Sequence, residues 1–197
     1  MRRALLVRHG ESEFSRRGVL NGDPSVPLGL TAHGREQARM LADELAGEEL
    51  DLAVTTPFPR VVETADEALR GRDVPRVVVA DLGDPRYGIF EGDTLEAYRA
   101  WARDAPSSAA PPGGGESRHE IVERYVRGFR AVLAQPDESI LVVAHSLPIA
   151  YMLAARAGVP PQPRTPLAEL ARPYPFAAEE LERATAVLAG WAAAPTW

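Results

Sequence analysis

The 197-residue chain contains no cysteine and no lysine. Without cysteine it can form no disulfide and no thiolate metal site, and such a chain fits the cytoplasm. Without lysine, all 22 basic residues are arginines. Any anion site must then be built from arginine, histidine, backbone N–H groups or hydroxyls. Abundant Ala, Arg, Gly and Pro make genomic base composition the simple source of this bias. Long hydrophobic runs are also missing, and no apolar stretch approaches the length that spans a bilayer. Met1-Arg2-Arg3-Ala4-Leu5-Leu6-Val7 enters a strand too early for a secretory signal peptide. A net charge of −6 argues against nucleic acid as a partner. There is no internal repeat. The length suits one large domain or a domain with a small cap.

What is present begins with Leu5-Leu6-Val7-Arg8-His9-Gly10-Glu11-Ser12. An apolar run stops abruptly at Arg8 and His9. In a parallel α/β sheet, chemistry lies just beyond the carboxyl ends of the strands. Arg8 can bind phosphate oxygens with its rigid fork of donors. A neutral His9 imidazole can supply an attacking nitrogen. Gly10, lacking a Cβ, is expected to let a substrate approach the backbone.

Strand and helix patterns alternate along the chain. Strands are expected at Arg3–Val7, Leu50–Thr55, Arg76–Leu82 and Ser139–Ala144. Helices are expected at Ala32–Ala46 with Thr31 as N-cap, from Pro59 onward, at Thr94–Arg103, Glu120–Ala134, Pro148–Arg156 and Ala177–Trp191. Arg16–Leu30 and Asp104–Gly115 are expected to be loops, and Val159–Pro175 is proline-dense and irregular. A central strand within Pro160–Pro175 is not expected. The class is α/β with a mostly parallel sheet.

A second histidine, His145, ends the apolar run Ile140–Ala144. Ala144-His145-Ser146-Leu147-Pro148 also looks like the nucleophile elbow of α/β-hydrolases. The flanking glycines of that elbow are replaced by Ala144 and Pro148, and no histidine follows His145. Chain order therefore excludes Ser146 as the nucleophile of a Ser-acid-His triad, leaving it a hydrogen-bonding neighbour.

Four segments in order carry a family resemblance: Arg8-His9-Gly10-Glu11-Ser12 with Gly34-Arg35-Glu36-Gln37-Ala38; Thr55-Thr56-Pro57-Phe58-Pro59-Arg60; Leu82-Gly83-Asp84-Pro85-Arg86-Tyr87-Gly88; and Val142-Val143-Ala144-His145. Together they resemble the histidine phosphatase superfamily, which includes cofactor-dependent phosphoglycerate mutases and small-molecule phosphatases. The resemblance implies a three-layer sandwich with a mostly parallel central sheet, helices on both faces and a small cap from Gly92–Gly115. It implies one domain over residues 1–197, with a flexible cap or loop near 93–116 and an irregular segment at 159–176.

By the same resemblance, His9 becomes phosphorylated, Arg8 and Arg60 clamp the phosphoryl group, and His145 donates to it beside His9. Asp84 stands where the family commonly has a glutamate as proton donor, one methylene shorter; Glu91 is the alternative donor. Ser15 replaces a common phosphate-binding asparagine and keeps a hydroxyl donor. Arg16, Arg17 and Asn21 are expected to rim the pocket. Glu116, in a Gly-Glu-Ser that resembles the family's, is a peripheral candidate, with Ser117 and Glu120 suited to a helix capping box. No metal or cofactor is implied.

The expected activity is hydrolysis of a small phosphorylated metabolite through a phosphohistidine. One rival is a phosphoglycerate mutase, but Gly92–Gly115 lacks the lysine and paired arginines those enzymes carry. The other rival is a non-catalytic phospho-ligand binder, supported only by the Asp84 departure.

Overall fold

Five short strands pair in the order β3-β2-β4-β1-β5 in the computed structural model, which describes residues 1–197. They are β1 (Arg3–Arg8), β2 (Leu52–Thr55), β3 (Arg76–Val78), β4 (Ser139–Ala144) and β5 (Pro173–Ala177). The first four run parallel, and β5 lies antiparallel along β1. Side chains alternate between the two faces of such a sheet. Leu5, Val7, Ala53, Leu141 and Val143 meet α2 (Ala32–Glu44) and α3 (Pro59–Ala68) on one face. Ala4, Leu6, Val54, Ile140 and Val142 meet α5 (Arg118–Leu133), α6 (Ser146–Arg156) and α7 (Ala178–Ala193) on the other. This is the three-layer arrangement expected, and central strand β4 is buried at every position.

Local chemistry sets the element ends. The Thr31 side chain accepts from the Gly34 N–H and starts α2. Pro59 lies in the first turn of α3, where its missing N–H costs nothing. Ser117 and Glu120 form the expected capping box at the start of α5.

Three features depart from the sequence pattern. A short helix, α1 (Glu13–Arg17), runs into the start of the expected Arg16–Leu30 loop, opened by a Ser12–Ser15 capping box and closed by Gly18 at φ 69°. The expected strand at Arg76–Leu82 ends at Val78 and turns into a 3₁₀ segment at Ala80–Leu82. The proline-dense C-terminal segment contains β5, so four strands become five. Pro173 pairs with Val7 and Pro175 with Leu5. Proline donates nothing to a ladder, so N–H donation from this strand falls to the residues between and after the prolines. An edge position tolerates that and a central one does not.

Between these elements, α4 (Leu95–Ala102) is capped by Thr94. The following turns are tied down by backbone bonds from His119 N to Ser107 O, Ile89 N to Pro112 O and Glu116 N to Arg86 O.

Candidate active site

Parallel pairing of β1 with β4 puts Arg8 opposite Ala144. The next residue on each strand is a histidine, so register alone brings His9 and His145 together at the carboxyl edge. Their ring centroids lie 5.4 Å apart. Arg60 enters from the first turn of α3, after neighbouring strand β2. Asp84 enters from the segment after β3. Both histidines and Arg60 are buried.

His9 Nδ1 lies 2.7 Å from the Gly10 carbonyl oxygen. That oxygen can only accept, so Nδ1 carries the proton and Nε2 keeps its lone pair. Burial, reinforced by Arg60, His145 and Arg8, holds the His9 pKa well below the ordinary histidine value. The ring is therefore neutral at neutral pH.

His145 makes two bonds. Its Nδ1 donates to Asp84 Oδ2 at 2.9 Å, and its Nε2 lies 2.9 Å from Thr56 Oγ1. Burial lowers its pKa, with Asp84 pulling the other way. Its ring meets Phe58 edge-on at 4.6 Å.

Arg60 is held on several sides. It donates to Asn21 Oδ1 at 2.9 Å, to the Asn21 carbonyl at 3.1 Å and to Asp84 Oδ2 at 2.7 Å. Its guanidinium lies 4.5 Å from the Phe58 ring centroid, a favourable cation–π placement. Burial alone would push the Asp84 carboxyl up. The hydrogen bond from His145 and the charge of Arg60 outweigh burial and keep it far below the usual carboxylate range. Arg8 donates through Nη1 to the Ala168 carbonyl at 2.8 Å. Its buried Nε has no partner. A buried donor left unpaired costs stability, and an anion is what it lacks.

Several of these groups line a cavity of about 230 Å³, while His145 is fully buried and not on its wall. Arg8, His9, Arg60 and Asp84 all face it, and Ser15 and Asn21 lie on its wall. Asn21 orients Arg60, and Ser15 closes the turn at Ser12. Arg16 and Arg17 do not line the cavity; both face Glu13 from the exposed side of α1. Glu116 lies outside it as well, buried against Arg124.

Gly10 is needed for a reason other than substrate approach. A Cβ there would sit 2.5 Å from the Gly34 carbonyl oxygen, so the bare backbone serves close packing of the β1 loop on α2. Glu91 accepts from Gly22 N and Tyr87 N, both at 2.8 Å. It thus clips the Asn21 loop to the Asp84 segment. Ser146 accepts from the Ala168 N–H at 3.0 Å.

Several important residues carried no local signal. Arg124 donates to both Glu116 oxygens and to the carbonyls of Asp81, Gly83 and Asp84. It positions the backbone that presents Asp84. Thr64 accepts from Gly10 N at 3.0 Å and donates to Arg60 O at 2.7 Å, joining the β1 loop to α3. The irregular stretch from Gln162 to Leu167 supplies one cavity wall.

The donor atoms of His9, Asp84 and His145 lie within 4.8 Å of one another, close enough to share a cation. The surroundings oppose one. Asp84 is taken by Arg60 and His145, and four guanidiniums line the same cavity. The donor set suits an anion.

A sequence profile described as histidine phosphatase superfamily (branch 1) matches residues 4–169. The chain belongs to that superfamily. It is 30% identical over 167 residues to the adenosylcobalamin/alpha-ribazole phosphatase of Escherichia coli, covering 80% of each chain. It is 29% identical over 171 residues to phosphoserine phosphatase 1 of Hydrogenobacter thermophilus, covering 81% of this chain and 78% of that one. Among solved structures, the alpha-ribazole phosphatase of Shigella flexneri superposes with a TM-score of 0.70 at 26% identity, covering 86% of this chain and 96% of that one. No helix is long and apolar enough to cross a membrane.

Proposed function

We propose that this chain hydrolyses phosphomonoesters of small metabolites through a phosphohistidine at His9. The chain is a histidine phosphatase, as the family match and its phosphatase relatives state. One observation carries the assignment of His9: a buried neutral imidazole with Nδ1 engaged and Nε2 free, in a cavity lined by Arg8 and Arg60.

The substrate phosphate binds Arg8, whose Nε lacks a partner, and Arg60. These donors match the charge that spreads over the equatorial oxygens during transfer. His9 Nε2 attacks phosphorus, and the bond from phosphorus to the leaving oxygen breaks. Asp84 gives that oxygen a proton.

Asp84 is ionised in the free protein, so it must first acquire a proton. The incoming dianion supplies the reason. It competes for the Arg60 Nη2 and His145 Nδ1 donors that now hold Asp84, and it faces the carboxylate as a like charge. Both effects raise the carboxyl pKa. In the second step Asp84 takes a proton from water as it attacks the phosphohistidine. Phosphate then leaves, and His9 is neutral again. A cytoplasmic setting fits this substrate class.

The test is a phosphatase screen over phosphorylated metabolites and p-nitrophenyl phosphate, beside His9→Ala. Hydrolysis lost in the variant supports the proposal. Equal hydrolysis by both proteins overturns it.

A further inference from the structure

Charge is unevenly placed. The chain as a whole has six more acidic than basic residues. Yet four arginines line the cavity at His9, namely Arg8, Arg60, Arg99 and Arg118, against the single carboxylate of Asp84. Arg60 and His145 already satisfy Asp84. Arg8 and Arg60 stand with His9. Arg99 and Arg118 remain, and neither makes an ion pair. The nearest acceptor for Arg99 is the Thr165 carbonyl at 3.4 Å, and for Arg118 the Tyr151 hydroxyl at 3.5 Å, both marginal.

Two flanking elements hold this second pair. Arg99 projects from α4, and Arg118 starts α5. Tyr98 links them: it precedes Arg99, and its ring lies 5.5 Å below the Arg118 guanidinium. A ring face engages the π surface of a guanidinium and leaves its in-plane N–H donors free. Cavity walls also include Phe14, Leu95, Leu147 and Leu167, which offer carbon surface. Two half-buried cations without counter-ions, placed among apolar side chains, are costly unless a ligand pairs with them.

We infer that Arg99 and Arg118 form a second anion subsite, so that the preferred substrate is a phosphomonoester with a second anionic group, carboxylate or phosphate, joined to the first by an apolar segment. This rests on the phosphatase assignment of the same cavity and adds its substrate class. The paired charges act on binding and orientation, so they discriminate substrates through groups remote from the reacting phosphorus.

The test is a calorimetric binding series, which needs no catalysis. ω-Carboxyalkylphosphonates of increasing chain length, and α,ω-bisphosphonates, are compared with plain alkylphosphonates of matched length. At one length the second anion should tighten binding by about 10- to 100-fold, the scale of charge-assisted pairing. The better of the carboxylate and phosphonate arms identifies the group. In Arg118→Met and Arg99→Met that advantage should collapse to within about threefold, while alkylphosphonate binding stays unchanged. Far-ultraviolet circular dichroism identifies a variant that fails to fold, and Arg→Gln versions then replace it. No advantage at any length in the native protein overturns the subsite, as does an advantage that survives in both variants. If carboxylated phosphonates bind as expected but no phosphomonoester is hydrolysed, the catalytic proposal fails and the subsite stands.

Discussion

His9 owes its character to three surroundings: the Gly10 carbonyl that holds its Nδ1 proton, the burial that disfavours imidazolium, and the nearby cations. Rapid quench with labelled substrate should trap a phosphoenzyme that survives alkali and is lost in acid. A label that resists acid, or that persists in His9→Ala, would exclude a phosphohistidine there. Asp84 differs, because its role depends on what the substrate displaces. Asp84→Asn should reduce turnover by about 10²–10⁴-fold for an alkyl phosphate, whose leaving oxygen needs a proton. For an aryl phosphate, with its stable leaving group, the loss should be much smaller. Equal losses for the two would make Asp84 a phosphate-positioning group.

Elements matter here through what they hold still. The segment from Asp81 to Asp84 has little regular structure, and its carbonyls converge on the Arg124 guanidinium of α5, which Glu116 neutralises. Arg124 and Glu116 are nearly buried, with side-chain exposures of 14% and 7%. Removing one partner strands the other's charge. Arg124→Met should cost about 3–5 kcal/mol, read from the urea midpoint. The Asp84 segment should loosen with it, so kcat should fall more for alkyl than for aryl phosphates. Arg124→Lys should restore little, since an ammonium cannot reproduce the planar fork. Full recovery with lysine would reduce Arg124 to a simple charge. A neighbouring junction, between the β1 loop and α2, leaves no room for an added carbon. A Cβ on Gly34 would lie 2.0 Å from the Glu11 carbonyl oxygen. Gly34→Ala should therefore destabilise by about 1–3 kcal/mol through overpacking.

For the whole molecule, two buried histidines with lowered pKa values link folding to pH. The unfolded chain binds protons at both near pH 6.5, and the native chain does not until the pH is lower. Native stability should thus be complete above about pH 6.5 and decline as pH falls below it. Asp84 has linkage of the same sign in a lower window: its contribution is present above its unfolded pKa near 3.8 and is lost only in stronger acid. Between pH 4.5 and 6.5 the histidines should therefore dominate the slope. Thermal unfolding across this window should show a falling Tm, with a shallower slope in His9→Gln. An unchanged slope would mean that His9 is already protonated in the native protein. Activity should be insensitive to a divalent-metal chelator, because arginine supplies the positive charge of the site. Phosphate release should also outpace exchange between 2- and 3-phosphoglycerate, which an assay of both products will decide.

The sequence by itself determined the alternation of strands and helices, the parallel sheet, and the chemical identity of the centre. Those signals are local: an apolar run broken by Arg8 and His9, a threonine before α2, a proline opening α3, and a second histidine after the strand Ser139–Ala144. Their order along the chain carried the family resemblance. Tertiary structure decided everything that depends on residues far apart. Prolines argued against a central strand within Pro160–Pro175, and the strand that forms there, Pro173–Ala177, lies at the sheet edge. Arg16, Arg17 and Glu116 stood in promising segments, yet local ion pairs and burial keep them off the cavity. Arg124, Arg99 and Arg118 lie on helices whose pattern speaks only of burial and exposure. Whether an arginine meets a carboxylate, a carbonyl or an empty cavity is settled by partners that sequence spacing does not reveal. Hydrophobic periodicity specifies which face of an element is buried; only the packed chain specifies what each polar group finds there.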